Sequence, residues 1–229
     1  MKKLFYLVTL VVISLSIFTA CEPSIGKDGM GKHKGHEYVD LGLPSGLKWA
    51  TCNVGATTPE EYGDYFAWGE VEPKTSYYWS TYKYCVDNWD NLTKYCTNSD
   101  SGKDGFTDNK TELDPEDDAT HVNWGGAWRM PTYDEFSELK NNCTWDWTTQ
   151  NGVNGYKVTG PNANSIFLPA AGHMEVGTLY HAGSSGCYWS SSLSTVNSFD
   201  AYYVGFFSGF VGWIRSDRYY GFSVRPVCQ

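Results

Sequence analysis

Seven cysteines and five histidines are the residues of this 229-residue chain best suited to redox or metal chemistry. The chain has no Cys-x-x-Cys pair, and no Cys/His set has the spacing of a zinc site. His173 and His181 flank a turn-rich stretch, but two ligands do not make a metal site. A Gly-x-Ser-x-Gly elbow, an HExxH helix and a phosphate-binding loop are absent from the sequence. We therefore expect no catalytic residue, no metal and no cofactor.

An acidic stretch is the remaining candidate for a cation site. Residues 100–105 resemble half of an EF-hand loop, but Gly102 and Thr111 occupy ligand positions three and twelve. Nearby carboxylates are close enough in sequence to hold calcium by crowding: Asp108, Glu112, Asp114, Glu116, Asp117 and Asp118. A solvated acidic loop is the simpler interpretation, and we expect a surface loop over residues 87–121.

Composition and charge limit the classes of partner. Hydrophobic residues make up 41% of the chain and aromatic residues 17%, which is too much for a disordered protein. The formal net charge is −9, so a nucleic-acid backbone is excluded as an expected partner. The size and the apolar content predict one globular domain with its own core.

The first residues have the pattern of an export signal. Lys2 and Lys3 precede an apolar run over residues 4–18, which is too short to favour a stable membrane span. The Phe-Thr-Ala-Cys sequence ending at Cys21 resembles a bacterial lipobox, although Phe replaces the usual Leu. We expect a lipoprotein signal peptide over residues 1–20 and lipidation at Cys21, with simple secretion as the alternative. Residues 21–35 are Gly-rich and polar, which predicts a flexible tether.

The six other cysteines are permitted to form disulfides in an exported protein. Cys85 and Cys96 lie in repeated Lys-Tyr-Cys triplets that would suit two arms of a closed loop. Cys187 and Cys228 bracket the C-terminal segment. Buried free thiols are the alternative interpretation, because Cys packs as a small apolar side chain.

Helix signals are few, and short strands dominate. Thr132 to Glu135 form a capping box after a proline, which predicts a helix over residues 133–142. A similar pattern at Thr58 predicts a helix of little more than one turn that ends at Gly63. Short strands are predicted at 39–43, 47–54, 65–68, 166–168, 187–192, 201–207, 210–215 and 221–227.

Alternation along residues 201–207 separates two kinds of side chain. Tyr202, Val204 and Phe206 are apolar enough to face the core, whereas Tyr203 and Phe207 flank a glycine on the other face. Aromatic residues and Arg dominate binding hot spots, and the downstream residues interleave them with Gly and Ser. We interpret this stretch as a ligand-binding face, with core packing as the alternative for each ring. The candidate binding residues are Asn197, Phe199, Asp200, Tyr203, Phe207, Phe210, Trp213, Arg215, Asp217 and Tyr219.

Two other residues of the C-terminal region have a structural interpretation. Trp189 and the serines after it are expected to be buried scaffold. Arg225 is expected to pair with a carboxylate such as Asp134 or Glu135.

Five motifs occur together in one order, over residues 39–56, 124–132, 166–172, 187–192 and 221–227. With them the chain resembles the Fibrobacter succinogenes major paralogous domain family of exported Bacteroidetes lipoproteins, from about residue 36 to the end. The resemblance implies an α+β, C-type-lectin-like fold of the formylglycine-generating-enzyme type, as a single domain over residues 36–229. It also implies a ligand-binding segment at about 187–220, which is exposed and changeable in variable proteins diversified by retroelements.

The resemblance does not carry over two family activities. Formylglycine-generating enzymes use a close pair of cysteines near the C-terminus, but Cys187 and Cys228 are far apart. Calcium-dependent lectins carry Glu-Pro-Asn and Trp-Asn-Asp motifs, and the related triplets at Glu72 and Trp89 each differ at a ligand position.

We therefore expect a non-enzymatic binding protein, held at the outer membrane or cell surface by its lipid anchor. Its expected partner is a protein or glycan on another surface. A structural or adhesive surface subunit is the first alternative, and an enzyme on a formylglycine-generating scaffold is the second.

Overall fold

The computed structural model describes residues 29–229. Within that range small antiparallel sheets are joined by long irregular segments, with few helices, so the predicted α+β class is confirmed. Two large clusters of buried side chains form the core, one around Trp49 and Phe136 and the other around Trp68 and Trp189. Burial of such large side chains is the main favourable term in folding. No helix of this range is long and apolar enough to cross a membrane.

The two ends of the described chain meet in one four-stranded sheet. Its strands lie in the order β1-β2-β3-β12, with antiparallel neighbours: β1 (Met30–His33), β2 (His36–Asp40), β3 (Lys48–Ala50) and β12 (Val227–Cys228). The flexible tether was predicted to extend to residue 35, but this bound is wrong, because residues 30–33 form a strand that pairs with β2. The backbone N–H of Asp40 also donates to the Gly29 carbonyl at 2.8 Å, which satisfies backbone groups that a free tether leaves to water. The predicted signal peptide and Cys21 lie outside the described residues.

A second sheet follows the helical region. It contains β4 (Thr144–Gln150), β5 (Val153–Thr159) and β6 (Ser165–Pro169) in sequence order. The strand predicted at 166–168 is confirmed as the centre of β6. The β4–β5 hairpin was not predicted.

The third sheet consists of β9 (Ser185–Leu193), β10 (Asp200–Phe207) and β11 (Phe210–Asp217), with β10 in the middle. All three strands were predicted, and each is longer than expected. A two-stranded hairpin, β7 (His173–Glu175) and β8 (Thr178–Tyr180), precedes them.

The fourth strand predicted in this region, at 221–227, is not continuous. Its backbone bonds in turn with Met174, Phe66, Trp189 and Val54, which belong to different parts of the fold. Because no single neighbour runs alongside it, only its last residue belongs to a strand, β12. The strand predicted at 65–68 is likewise reduced to an isolated bridge between Phe66 and Phe222.

Among residues 29–229, two α-helices interrupt the strands: α1 (Ala119–Trp124) and α2 (Tyr133–Asn142). The prediction of α2 is confirmed, including the reciprocal capping box between Thr132 and Glu135. The helix predicted at Thr58 is wrong. The Glu61 carboxylate there accepts hydrogen bonds from the N–H groups of Thr57 and Thr58 at 2.6 and 3.3 Å, but they close a turn rather than cap a helix. The described part of the chain also has three short 3-10 helices, at Trp79–Thr81, Lys103–Gly105 and Pro115–Asp117.

Apart from two 3-10 helices and the start of α1, the polar segment over residues 87–121 is irregular, as predicted, but parts of it are buried rather than solvated. Asp117 is only 2% exposed. Its carboxylate accepts hydrogen bonds from the hydroxyls of Tyr84 and Tyr95 and contacts the ammonium of Lys94 at 2.5 Å. Glu112 accepts hydrogen bonds from the hydroxyls of two serines in β9. These contacts fasten the acidic segment to the core.

The prediction for Trp189 is confirmed, and the structural role predicted for Arg225 is confirmed as well, but its predicted carboxylate partner is wrong. Trp189 is fully buried, and its indole N–H donates to the Phe66 carbonyl at 2.9 Å. Arg225 is also fully buried, but its guanidinium donates to the Asn53 side chain and to the carbonyls of Ala50, Thr51 and Phe167. Its planar donors match neutral acceptors from separate segments, so no carboxylate is needed.

The cysteines do not form the pairs suggested by the sequence. Cys228 is buried and disulfide-bonded. The others among the described residues are free, which excludes the closed loop between Cys85 and Cys96 and a bond between Cys187 and Cys228.

Candidate binding surface

The sheet β9–β10–β11 places the predicted binding residues on two different faces. Directly paired residues of neighbouring strands share a face, and β10 pairs with β11 from Asp200–Asp217 to Phe207–Phe210. One face carries Val204, Phe206 and Trp213, and it packs against the core cluster that includes α2. The buried positions predicted for Val204 and Phe206 are therefore confirmed.

The opposite face is covered at one end and open at the other. Tyr203 lies at the covered end, where its ring is 4.7 Å from Phe222 and 5.8 Å from Trp189. Burial raises the pKa of the Tyr203 hydroxyl. Towards the β10–β11 turn no element of residues 29–229 covers this face, and Phe207, Phe210 and Ile214 are 52%, 41% and 39% exposed. We call these three residues the open patch.

Two of the three side chains of the open patch contact each other. The rings of Phe207 and Phe210 stack with their centroids 5.1 Å apart and their planes 18° from parallel. Phe210 lies over Gly212, and Ile214 lies over Gly205, so that a side chain at either glycine would collide with its neighbour. The glycines thus allow the apolar side chains to lie down on the sheet.

The turn that carries the two phenylalanines is held from below. Tyr156 of β5 donates its hydroxyl hydrogen to the Phe207 carbonyl and accepts from the Gly209 N–H, both at 3.2 Å. Gly209 has a φ of +85°, which favours glycine. The patch is therefore presented by a fixed turn rather than by a free loop.

Trp213 does not share the face of Phe207, although the alternation predicted that it would. Its ring is 4.3 Å from Tyr133 and 5.9 Å from Phe136, both on α2. The reason is the two-residue turn, Ser208-Gly209, which pairs residue 207 with residue 210 and so exchanges odd and even positions between the strands. The same exchange brings Ile214 onto the open patch, a residue that we did not predict.

Four polar candidates cluster at the other end of the sheet. Asp200 is buried, and its carboxylate contacts Arg215 Nε at 3.3 Å and accepts a hydrogen bond from the Asn197 amide at 3.0 Å. Asp217 pairs with Asp200 across the strands. Burial, together with the Asp200 charge, raises the pKa of Asp217 to about 6. These residues bond mainly to one another, and Arg215 alone among them is exposed.

The two remaining candidates are half-buried aromatic residues away from the patch. Phe199 packs edge-on against Trp89 at 5.1 Å. Tyr219 stacks on Tyr220 at 4.5 Å and contacts Trp79 at 5.3 Å.

The described residues contain no group of three or more His, Cys, Asp or Glu side chains placed to hold a metal ion. His173 and His181 do lie near each other, with ring centroids 5.8 Å apart. Cys187, on the same face of the sheet as Tyr203, has a pKa raised to about 12 by burial, so its sulfur is a protonated thiol at neutral pH.

We compared the chain with known protein families, curated proteins and solved structures. No family model matches the chain, and neither a curated protein nor a solved structure shows significant similarity to it.

Proposed function

We propose that this chain is an exported, lipid-anchored binding protein with a C-type-lectin-like fold, and that it recognises its ligand through the open patch. The observation that carries the proposal is the stacked, exposed pair Phe207 and Phe210 on a pinned turn. Recognition by a rigid scaffold needs no turnover, so the proposal assigns no catalytic residue.

Exposure of the patch is easier to explain by binding than by folding. Large apolar side chains in contact with water contribute little to folding and favour association with other molecules. Aromatic side chains also dominate the binding energy of many interfaces, because they bury a large area and lose little conformational freedom. A patch fixed by Tyr156 loses still less freedom on binding.

The lectin-like part of the proposal rests on the family resemblance, and the structure shows where the five family-like motifs lie. Each contributes at least one fully or almost fully buried residue: Trp49, Trp128, Leu168, Trp189 and Arg225. The resemblance thus concerns the scaffold, whereas the open patch lies between the last two motifs. This arrangement suits a family in which a shared framework displays different binding residues.

Binding to a panel of bacterial surface glycans and purified surface proteins tests the proposal. We expect the full chain to bind at least one member, and the double variant F207A/F210A to bind it about tenfold more weakly or worse. V122A, which shortens an exposed apolar side chain on α1, is the matched control and should bind like the unaltered chain. Failure to bind any member, or equal binding by F207A/F210A, would contradict the proposal.

A further inference from the structure

One edge of the sheet β9–β10–β11 has no partner strand. β11 lies at the end of the order β11-β10-β9, and no other strand of residues 29–229 pairs with it. Its eight residues, Phe210–Asp217, form a long edge by the standards of soluble proteins.

The register shows which backbone groups point outwards. Because the chain reverses over two residues, Phe207 and Phe210 form a hydrogen-bonded pair, and bonding to β10 then recurs at every second residue. The N–H and C=O groups of Val211, Trp213 and Arg215 therefore face away from β10. They form a ladder onto which another strand can add.

The first five residues of the edge also lack the usual protection against strand addition. Soluble proteins place charges, prolines or bulges on exposed edges, but residues 210–214 are Phe-Val-Gly-Trp-Ile. β11 pairs with β10 without interruption along its whole length. Arg215 is the one basic residue of β11, and its side chain is 49% exposed.

We propose that the outer edge of β11 binds an extended segment of another protein by strand addition. The bound segment places an acidic side chain opposite Arg215 and apolar side chains over Phe210 and Ile214. This inference rests on the proposed function and names its ligand as a polypeptide backbone rather than a sugar. Main-chain hydrogen bonds supply affinity in this mode, and alternate side chains supply specificity.

A second copy of this chain fits the edge less well. Two antiparallel copies bring Arg215 opposite Asp217 of the other copy only in a register centred on Ser216. That register sets Ile214 opposite Arg218, where β11 has ended and the backbone bonds to Phe199 and Trp68 instead. Most of the apolar edge then stays unpaired, and both copies carry a net charge of −9.

The probe for this inference is the synthetic peptide acetyl-Thr-Glu-Val-Thr-Val-Thr-Val-amide, labelled for fluorescence anisotropy. Antiparallel to β11, its Glu lies opposite Arg215 and its valines lie over Ile214, Gly212 and Phe210. We expect N-methylation of the two later threonines, whose N–H groups face β11, to weaken binding about thirtyfold through the loss of two hydrogen bonds. N-methylation of the first two valines, whose N–H groups point away, is the matched control and should change binding much less.

The same test applies on the protein side. The Val211 N–H faces outwards, so proline there removes a donor from the edge without breaking a bond to β10. We expect V211P to bind the peptide at least about tenfold more weakly than V211A, which loses the same side-chain packing but keeps the N–H. Circular dichroism of V211P checks that its fold is retained, and the methylated peptides test the edge without any protein variant.

Equal binding of both methylated peptides, or no binding of the unmethylated one, would overturn strand addition. Self-association of the chain in sedimentation that V211P abolishes and V211A retains would overturn the choice of partner. If F207A/F210A lost glycan binding and V211P bound both the glycan and the peptide like the unaltered chain, this inference would be refuted while the proposed function stayed intact.

Discussion

At the scale of single residues, the carboxyl pair Asp200 and Asp217 makes stability depend on pH. The pKa of Asp217 is raised to about 6 in the folded protein, so the folded state holds this proton more tightly than the unfolded chain. Its unfavourable contribution is absent below about pH 4, grows as the pH rises, and is complete above about pH 6. We expect D217N to be more stable than the unaltered chain at pH 7.5 and nearly equal to it at pH 3.5.

Urea unfolding of both proteins across this pH range measures the difference. D146N, which removes a carboxylate from an exposed position of β4, controls for the change in net charge. If the difference in unfolding free energy between D217N and the unaltered chain stayed constant with pH, ionisation of Asp217 beside Asp200 would not destabilise the protein, which would contradict this prediction.

The sequence correctly predicted which face of the sheet a side chain lies on along β10, but not beyond the β10–β11 turn. The alternation along β10 correctly separated Val204 and Phe206 from Phe207, because the period of a strand is local information. Past Gly209 the faces exchange, and the prediction therefore missed Ile214 and misplaced Trp213. Reading Ser208-Gly209 as a two-residue turn would have corrected both, since loop length sets the register.

At the scale of elements, α2 was predicted from a local sequence signal, whereas other elements were missed. The Thr132–Glu135 capping box is a contact within four residues, so sequence alone identifies it. The β4–β5 hairpin also had a local signal, Asn151-Gly152, with positive φ values of 48° and 85° at the two positions. By contrast, the burial of Asp117 depends on Tyr84 and Lys94, which no spacing rule links to it.

The acidic segment should be held in place largely by Asp117. Its pKa is lowered to about 2: burial opposes the lowering, but hydrogen bonds from Lys94, Tyr84 and Tyr95 outweigh it. We expect D117N to destabilise the protein by about 3 kcal/mol, because it leaves Lys94 without one of its buried partners. E116Q is the matched control, since that side chain is 71% exposed and lies 3.7 Å from the same ammonium. Urea unfolding of both variants at pH 7 gives the comparison, and similar losses would contradict this role.

At the scale of the whole molecule, buried polar contacts join distant segments. Arg225 links the end of β3 and the segment after it, through Asn53 and two carbonyls, to Phe167 of β6. The sequence predicted that Arg225 was structural but assigned it the wrong partner, because neutral carbonyl acceptors carry no sequence signature. The α+β class was predictable from many short strands and few helices, whereas the lectin-like topology rests on the family resemblance.

The proposed membrane anchor makes a prediction for the mature protein. Mass spectrometry of the chain purified from membranes should show an N-terminus at Cys21 carrying acyl chains on a thioether. An unmodified Cys21, or a mature chain that begins elsewhere, would contradict the anchor.

The central claim is that Phe207 and Phe210 face water and are there for binding. Urea unfolding of F207A/F210A beside F206A tests it most directly, because Phe206 lies on the same strand but is only 2% exposed. We expect F206A to lose about 3 kcal/mol of unfolding free energy and the double variant to lose less than about 1 kcal/mol. A loss in F207A/F210A as large as that in F206A would place the two rings in the core and contradict the account.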